Sequence, residues 1–420
     1  MQAQTVSLWL VAALVASQAL KWWLATRQTR SVQAHRSAVP APFDATVPLA
    51  THQRAADYTL ARLRFGLVAE TVGAALLLGW TLLGGLDLLN ATLRDALQPR
   101  FGDLAYQLGL VAGFALVSGL VDLPLEWARI FRLEQRFGFN RMTPALFLAD
   151  LAKGAALSIA IGLPMMAAVL WVMQATGALW WLWAWGLWVG FVLLMQVVYP
   201  TWIAPWFNRF EPLSDSVLVE RVETLMARCG FRAKGLFVMD GSRRSSHANA
   251  YFGGLGRAKR VVLFDTLLAR LAGREVEAVL AHELGHFHHK HVLVMTLRSF
   301  AVGLAAMALL GWLARQPAFF LGLGVEPNLR AANDALALML FMLAAPPFLF
   351  FASPLAARWS RRAEFEADAY ACAKTGGADL ASALLKLYED NGSTLTPDPV
   401  YARFYYTHPP ASERLAALQT

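Results

Sequence analysis

Apolar residues run through this chain in long blocks. A helix crossing a bilayer needs about 20 consecutive, mainly apolar residues. Blocks of that kind lie near 5–25, 65–90, 104–125, 146–173, 178–200, 293–314 and 333–354, which predicts about seven transmembrane helices. The first block has no Lys or Arg ahead of it and no clear small-residue cleavage site, so it reads as a retained span. Trp180, Trp181, Trp183, Trp185 and Trp188 crowd the fifth block, as suits a membrane helix with interfacial ends. The pair Pro346-Pro347 predicts a kink or an irregular end in the seventh.

Two segments break the pattern. Residues 201–292 are of mixed character and 355–420 are polar. In the first, the spacing predicts an amphipathic helix over 216–229 and a further helix over 274–291. Short strands of β-branched and aromatic residues are predicted over 235–239 and 260–264. The Pro- and Ala-rich stretch 38–50 reads as a flexible loop. The chain thus divides into helices one to five (1–200), a first polar part (201–292), helices six and seven (293–354) and a second polar part (355–420).

Composition agrees with a membrane protein. The chain is 57% apolar and 16% charged, against about 25% charged in soluble domains. The net charge of +8 comes without a basic stripe interleaved with aromatics, so no nucleic-acid partner is expected. Lys and Arg collect in 26–63, 126–145, 201–292 and 355–420, and are sparse in the alternate connections. That alternation predicts an outside N-terminus and a cytoplasmic tail. Arg far outnumbers Lys, which hints at a bacterial, GC-rich source and so at an inner membrane. Cys229 and Cys372 make neither a disulfide framework nor a zinc cluster.

The chemistry sits in the two polar segments. Residues 282–286 read His-Glu-Leu-Gly-His. On a helix, positions i and i+4 share a face, so His282 and His286 can reach one metal ion. Glu283 beside them is placed to act as general base on a water at that metal. A catalytic zinc takes three protein ligands and leaves one position open. A third His six residues on is excluded, because that position is Val292. His288, His289 and His291 read as a polar helix end, pointing around the same helix. Glu364, in the run Glu-Phe-Glu-Ala-Asp, is the expected third ligand. Asp368 shares its helical face, placed to hold a ligand histidine, while Glu366 points elsewhere. One zinc ion per chain is expected.

Several blocks resemble the type 1 CAAX prenyl protease family, integral-membrane zinc proteases of the gluzincin type. They are Phe137 to Asn140 with Thr143, Ile203 to Asn208, Phe210 to Leu213, Gly241 to Phe252, Lys259 to Leu268, His408 to Pro410, and Glu413 to Leu415. The resemblance implies a mainly α, polytopic fold. About seven helices would surround an intramembrane chamber, with a small α+β protease domain on the cytoplasmic side. Polar residues inside spans, such as Glu70, Asp150 and Lys153, would face that interior. The resemblance also implies zinc on His282, His286 and Glu364, with Glu283 as the base. Asn249, Ala250 and Tyr251 would form an edge strand that pairs with substrate, and His408 and Arg414 would stabilise the oxyanion. Arg243, Arg244 and His247 are weaker candidates. The implied reaction is hydrolysis of a peptide bond, removing the last three residues of a prenylated CAAX protein or peptide. The partners are that substrate and the lipid bilayer, with a monomer as the default. The alternatives are a quality-control protease of the heat-shock type and a non-catalytic chamber protein, and the intact HExxH argues against the latter.

Overall fold

The computed structural model describes residues 2–41, 43–231, 235–253 and 260–418. Among them, seven helical stretches are long and apolar enough to cross a membrane. The first part of the chain is α1 (Ala3–Ala34), α2 (Leu49–Trp80), α3 (Gly85–Ala128), α4 (Pro144–Leu157), α5 (Leu163–Ala175), α6 (Trp180–Val198) and the short α7 (Ala204–Phe207). Next come β1 (Phe210–Pro212), α8 (Ser216–Arg228), β2 (Leu236–Met239), β3 (Ala250–Gly253), β4 (Arg260–Phe264), α9 (Asp265–Leu268) and α10 (Gly273–His288). Two further spans follow in α11 (His291–Leu313) and α13 (Asp334–Leu349), with α12 (Pro317–Gly322) between them. The chain ends in α14 (Ser353–Thr375), α15 (Gly377–Asp390), α16 (Pro399–Tyr405) and α17 (Ala411–Leu418).

Several boundaries differ from expectation. The predicted span 65–90 straddles a turn: α2 ends at Trp80, and residues 85–90 already belong to α3. The turn Thr81–Gly84 is as apolar as its flanks, so hydropathy cannot see it, and Gly84 takes the positive φ that closes it. A second glycine, Gly102 (φ 79°, ψ 179°), breaks α3 just before the predicted start of the third span. The stretch 38–50 is not a free loop. Phe43 is fully buried against Leu395, Ala411 and Leu415, which fastens the α1–α2 connection to the tail. Pro346-Pro347 lies in the last turn of α13, followed by an irregular turn, Phe350–Ala352, before α14.

Large apolar side chains such as Trp9, Trp202 and Leu309 point outward from the spans, a surface that only lipid can cover without cost. Inside, the larger core packs Leu10, Trp80, Tyr106 and Phe320 from four helices. Three charged groups within the spans, Glu70, Asp150 and Lys153, are paired. Lys21 Nζ lies 2.5 Å from Glu70 Oε2. Asp150 accepts two bonds from Arg244, at 2.9 and 3.0 Å, and Lys153 Nζ donates to the Trp206 carbonyl at 2.7 Å. Burying such groups is tolerated when they find partners like these.

The four arginine-rich segments meet at one end of the molecule. Arg27 grips Asp398 in the tail with two bonds, at 3.1 and 2.9 Å. Asn140 bridges Ser245, and the N–H of Ser246 donates to the Phe139 carbonyl. At the same end, a four-stranded sheet of order β1-β2-β4-β3 packs against α8 and α10. The β2–β4 pair is parallel and the outer pairs are antiparallel. That order leaves β3 paired on one side only among the described residues.

The core of this α+β domain fixes how α10 meets α14. The two helices touch at Gly285, where an added Cβ would stand 2.9 Å from Ala367 Cα and 3.1 Å from its carbonyl oxygen. Backbone cannot yield as a side-chain tip can. Gly285→Ala is therefore expected to wedge the helices apart at a cost of about 1–3 kcal/mol, with a lower melting temperature and weaker zinc retention. An unchanged melting curve would contradict this packing.

Candidate metal centre and substrate groove

The contact at Gly285 sets the site. With α14 lying so close, Glu364 one turn before Ala367 reaches the two histidines of α10. His282 Nε2 is 3.2 Å from His286 Nε2 and 3.5 Å from Glu364 Oε2, and His286 Nε2 is 3.5 Å from Glu364 Oε1. Zinc with bonds of about 2.0–2.1 Å to N and O in a tetrahedron requires ligand atoms about 3.3 Å apart. The two histidine nitrogens are separated by close to that value, and each lies at a similar distance from one oxygen of the Glu364 carboxylate, His282 from Oε2 and His286 from Oε1. Glu364 Oε2 is also buried and meets no hydrogen-bond donor among the described residues. A buried carboxylate oxygen without a donor is costly unless a cation supplies the partner. The donor set and its spacing fit zinc.

The surroundings hold these ligands in place. His282 Nδ1 lies 2.8 Å from Asp368 Oδ1, one turn beyond Glu364. Asp368 in turn accepts two bonds from Arg414, Nε at 2.8 Å and Nη2 at 2.6 Å. Both Asp368 and Arg414 are buried. A carboxylate this close to a ligand histidine is a charge partner for its ring, although the contact is not aligned as a hydrogen bond here. Arg414 thus faces Asp368 first, and only its Nη1 approaches Glu364, at 3.7 Å. Burial pushes the carboxyl of Glu283 above the usual range, while His282 and His286 beside it pull the other way. A metal cation here would add to that pull and favour the ionised form a base needs.

On the open side stands His408, its side chain 63% exposed and its Nε2 3.3 Å from Glu364 Oε1. The stretch that carries it is pinned from two directions. Arg361 Nη1 donates to the Tyr406 carbonyl at 2.6 Å, and Tyr388 OH donates to the Pro409 carbonyl at 3.0 Å. His282, Glu283, His408 and Arg414 line a cavity of about 1110 Å³ that extends between α1 and α2, past Lys21, Arg62 and Glu70. Glu70 therefore faces an interior, as the resemblance implied. Ala248, Asn249 and Ala250 line the same cavity. Asn249 is exposed, Ala250 buried and Tyr251 half-buried. The register pairs Ala250 with Leu263 and Tyr251 with Val262, and among the described residues no strand lies on the far edge of β3.

The weaker candidates are spaced away from the His282, His286 and Glu364 cluster. Arg244 donates both to Asp150 of α4 and to Asn208 just after α7. His247 stacks on Phe139 at 4.6 Å and approaches Asn391 at 3.2 Å. These two brace the loop that leads into β3. Arg243 is exposed, and Lys259 of the block 259–268 lies outside the described residues. One expectation needs correcting. His291 is not on the helix of the HExxH motif: α10 ends at His288, Lys290 turns the chain with φ 58°, and His291 opens α11 beside His286. Sequence reasoning missed that contact, because a left-handed lysine carries no signal in the pattern.

The fold and site define a class, a multi-pass membrane metalloendopeptidase with a HExxH helix and a later glutamate. Residues 28–209 match the model of the CAAX prenyl protease N-terminal region with five membrane helices, and residues 212–420 match peptidase family M48. A CAAX prenyl protease 1 homolog of Oryza sativa is 33% identical over 94% of this chain and 93% of its own length. CAAX prenyl protease 1 of Saccharomyces cerevisiae is 34% identical over 88% of this chain and 85% of its own. The crystal structure of S. mikatae Ste24p superposes with a TM-score of 0.92 at 30% identity, covering 99% of both chains. The chain belongs to the CAAX prenyl protease 1 family within M48, the zinc metalloproteases that span the membrane.

Proposed function

We propose that this protein cleaves the C-terminal tripeptide from prenylated CAAX proteins at a zinc ion held by His282, His286 and Glu364. The observation that carries the reading is the clustering of one donor atom from each of those three residues at the wall of a large cavity, bordered by a strand edge that is unpaired among the described residues. The names of the relatives point to the substrate.

Zinc bound there would supply Lewis acidity to the scissile carbonyl and to the attacking water. The protein's own groups do the rest. The edge of β3 at Ala250 and Tyr251, with Asn249 just ahead of the strand, binds the substrate backbone by adding it as a further strand. The Glu283 carboxylate accepts the proton of the attacking water and passes it to the leaving amine. His408 donates to the oxyanion that develops on the carbonyl. Arg414 acts through Asp368, to which its Nε and Nη2 donate, while its Nη1 stands 3.7 Å from Glu364. We further propose that the two polar segments, 201–292 and 355–420, form one protease domain on the cytoplasmic side. The meeting of the arginine-rich segments at the end that carries the sheet supports this orientation.

The test is cleavage of a farnesylated CAAX peptide and its unprenylated twin by detergent-purified protein, with products identified by mass. Release of an intact tripeptide, faster from the farnesylated peptide, is the expected result. Equal cleavage of both peptides would move the substrate toward other membrane proteins and the quality-control role.

A further inference from the structure

We propose that His291 is a positioning residue that fixes the ring of His286 through a one-way hydrogen-bond relay ending on Glu366. The inference rests on His286 binding zinc through Nε2. That atom faces His282 and Glu364, so Nδ1 of the same ring points away from the metal. There it meets His291 Nδ1 at 3.0 Å. His291 Nε2 lies 2.9 Å from Glu366 Oε2, and Arg362 Nε donates to the other carboxylate oxygen at 2.9 Å.

A neutral imidazole has one N–H and one lone pair. A ligand using the lone pair on Nε2 carries its proton on Nδ1. His286 must then donate to His291 Nδ1, which leaves the proton of His291 on Nε2, aimed at Glu366. Every nitrogen is satisfied in that direction alone. The other ligand histidine is held differently, by direct approach of Asp368 to its Nδ1. His286 has no carboxylate in that position because α14 carries Glu366 around to the outer side of the helix. The turn at Lys290 supplies the missing link by folding the start of α11 back over α10. His289, stacked on His291 at 5.5 Å and 17°, supports the ring from one side.

The experiment is chelator competition for zinc in detergent, with the absorption spectrum of the cobalt-substituted protein as a second readout. His291→Ala is expected to lose about 10- to 100-fold in zinc affinity and to shift the cobalt bands. His291→Gln should stay close to wild type, since its amide can accept from His286 and donate to Glu366. Glu366→Ala probes the far end of the relay without touching the α10–α11 junction, and a smaller loss is expected; it decides the matter if His291→Ala does not fold. Wild-type affinity and spectrum in His291→Ala would overturn the relay. So would equal losses in the Ala and Gln variants with Glu366→Ala unaffected, which would mean packing alone. His286→Ala separates the two readings: if it keeps its zinc, the ligand assignment itself is wrong.

Discussion

Glu283→Gln protein is expected to bind zinc like the wild type and to turn over peptide about 10²- to 10⁴-fold more slowly, the range that loss of a general base produces. The prediction follows from the place of Glu283. It follows His282 directly on α10 and shares the cavity wall with it, and it is not one of the three closely spaced ligand atoms. The amide preserves size and removes the acceptor for a proton. Metal content by elemental analysis and single-turnover cleavage would be measured on the same sample. Normal cleavage by the variant would remove Glu283 from the chemistry, and loss of zinc would make it part of the metal site.

The second large effect is expected at Asp368. Its carboxylate serves His282 on one side and Arg414 on the other. Asp368→Ala would leave a buried guanidinium without its partner, a loss of about 3–5 kcal/mol. It would also free the ring of His282, with about a 10- to 100-fold loss in zinc affinity. A fall in melting temperature together with weaker zinc binding is the expected pair of results. Asp368→Asn keeps an acceptor for His282 but not the charge, so it should lose less zinc affinity than stability. Wild-type stability in Asp368→Ala would show that Arg414 finds another counter-charge, with Glu364 the nearest candidate.

The clustering of His282, His286 and Glu364 was legible in the sequence because helix geometry alone brings His282 and His286 together, and the spacing of Glu364 and Asp368 repeats the same one-turn logic. The span count was legible for the same reason, since hydrocarbon thickness dictates block length. What escaped depends on turns and on contacts across distant parts of the chain. The α2–α3 turn is apolar throughout, so only the backbone at Gly84 reveals it. The bend at Lys290 hides the approach of His291 to His286. Phe43 looked like part of a loose loop, because its pocket is built from Leu395, Ala411 and Leu415, more than 350 residues away. Arg414 was expected at the oxyanion, and nothing in the pattern says that α17 packs against α14 so as to commit two of its nitrogens to Asp368.

Zinc content of the detergent-purified protein, beside Glu364→Ala and His286→Ala variants, tests the central claim most directly. One zinc per chain in the wild type, lost in both variants, is the result this structure predicts. A wild-type protein without zinc, or a Glu364→Ala variant that keeps its full complement, would contradict it.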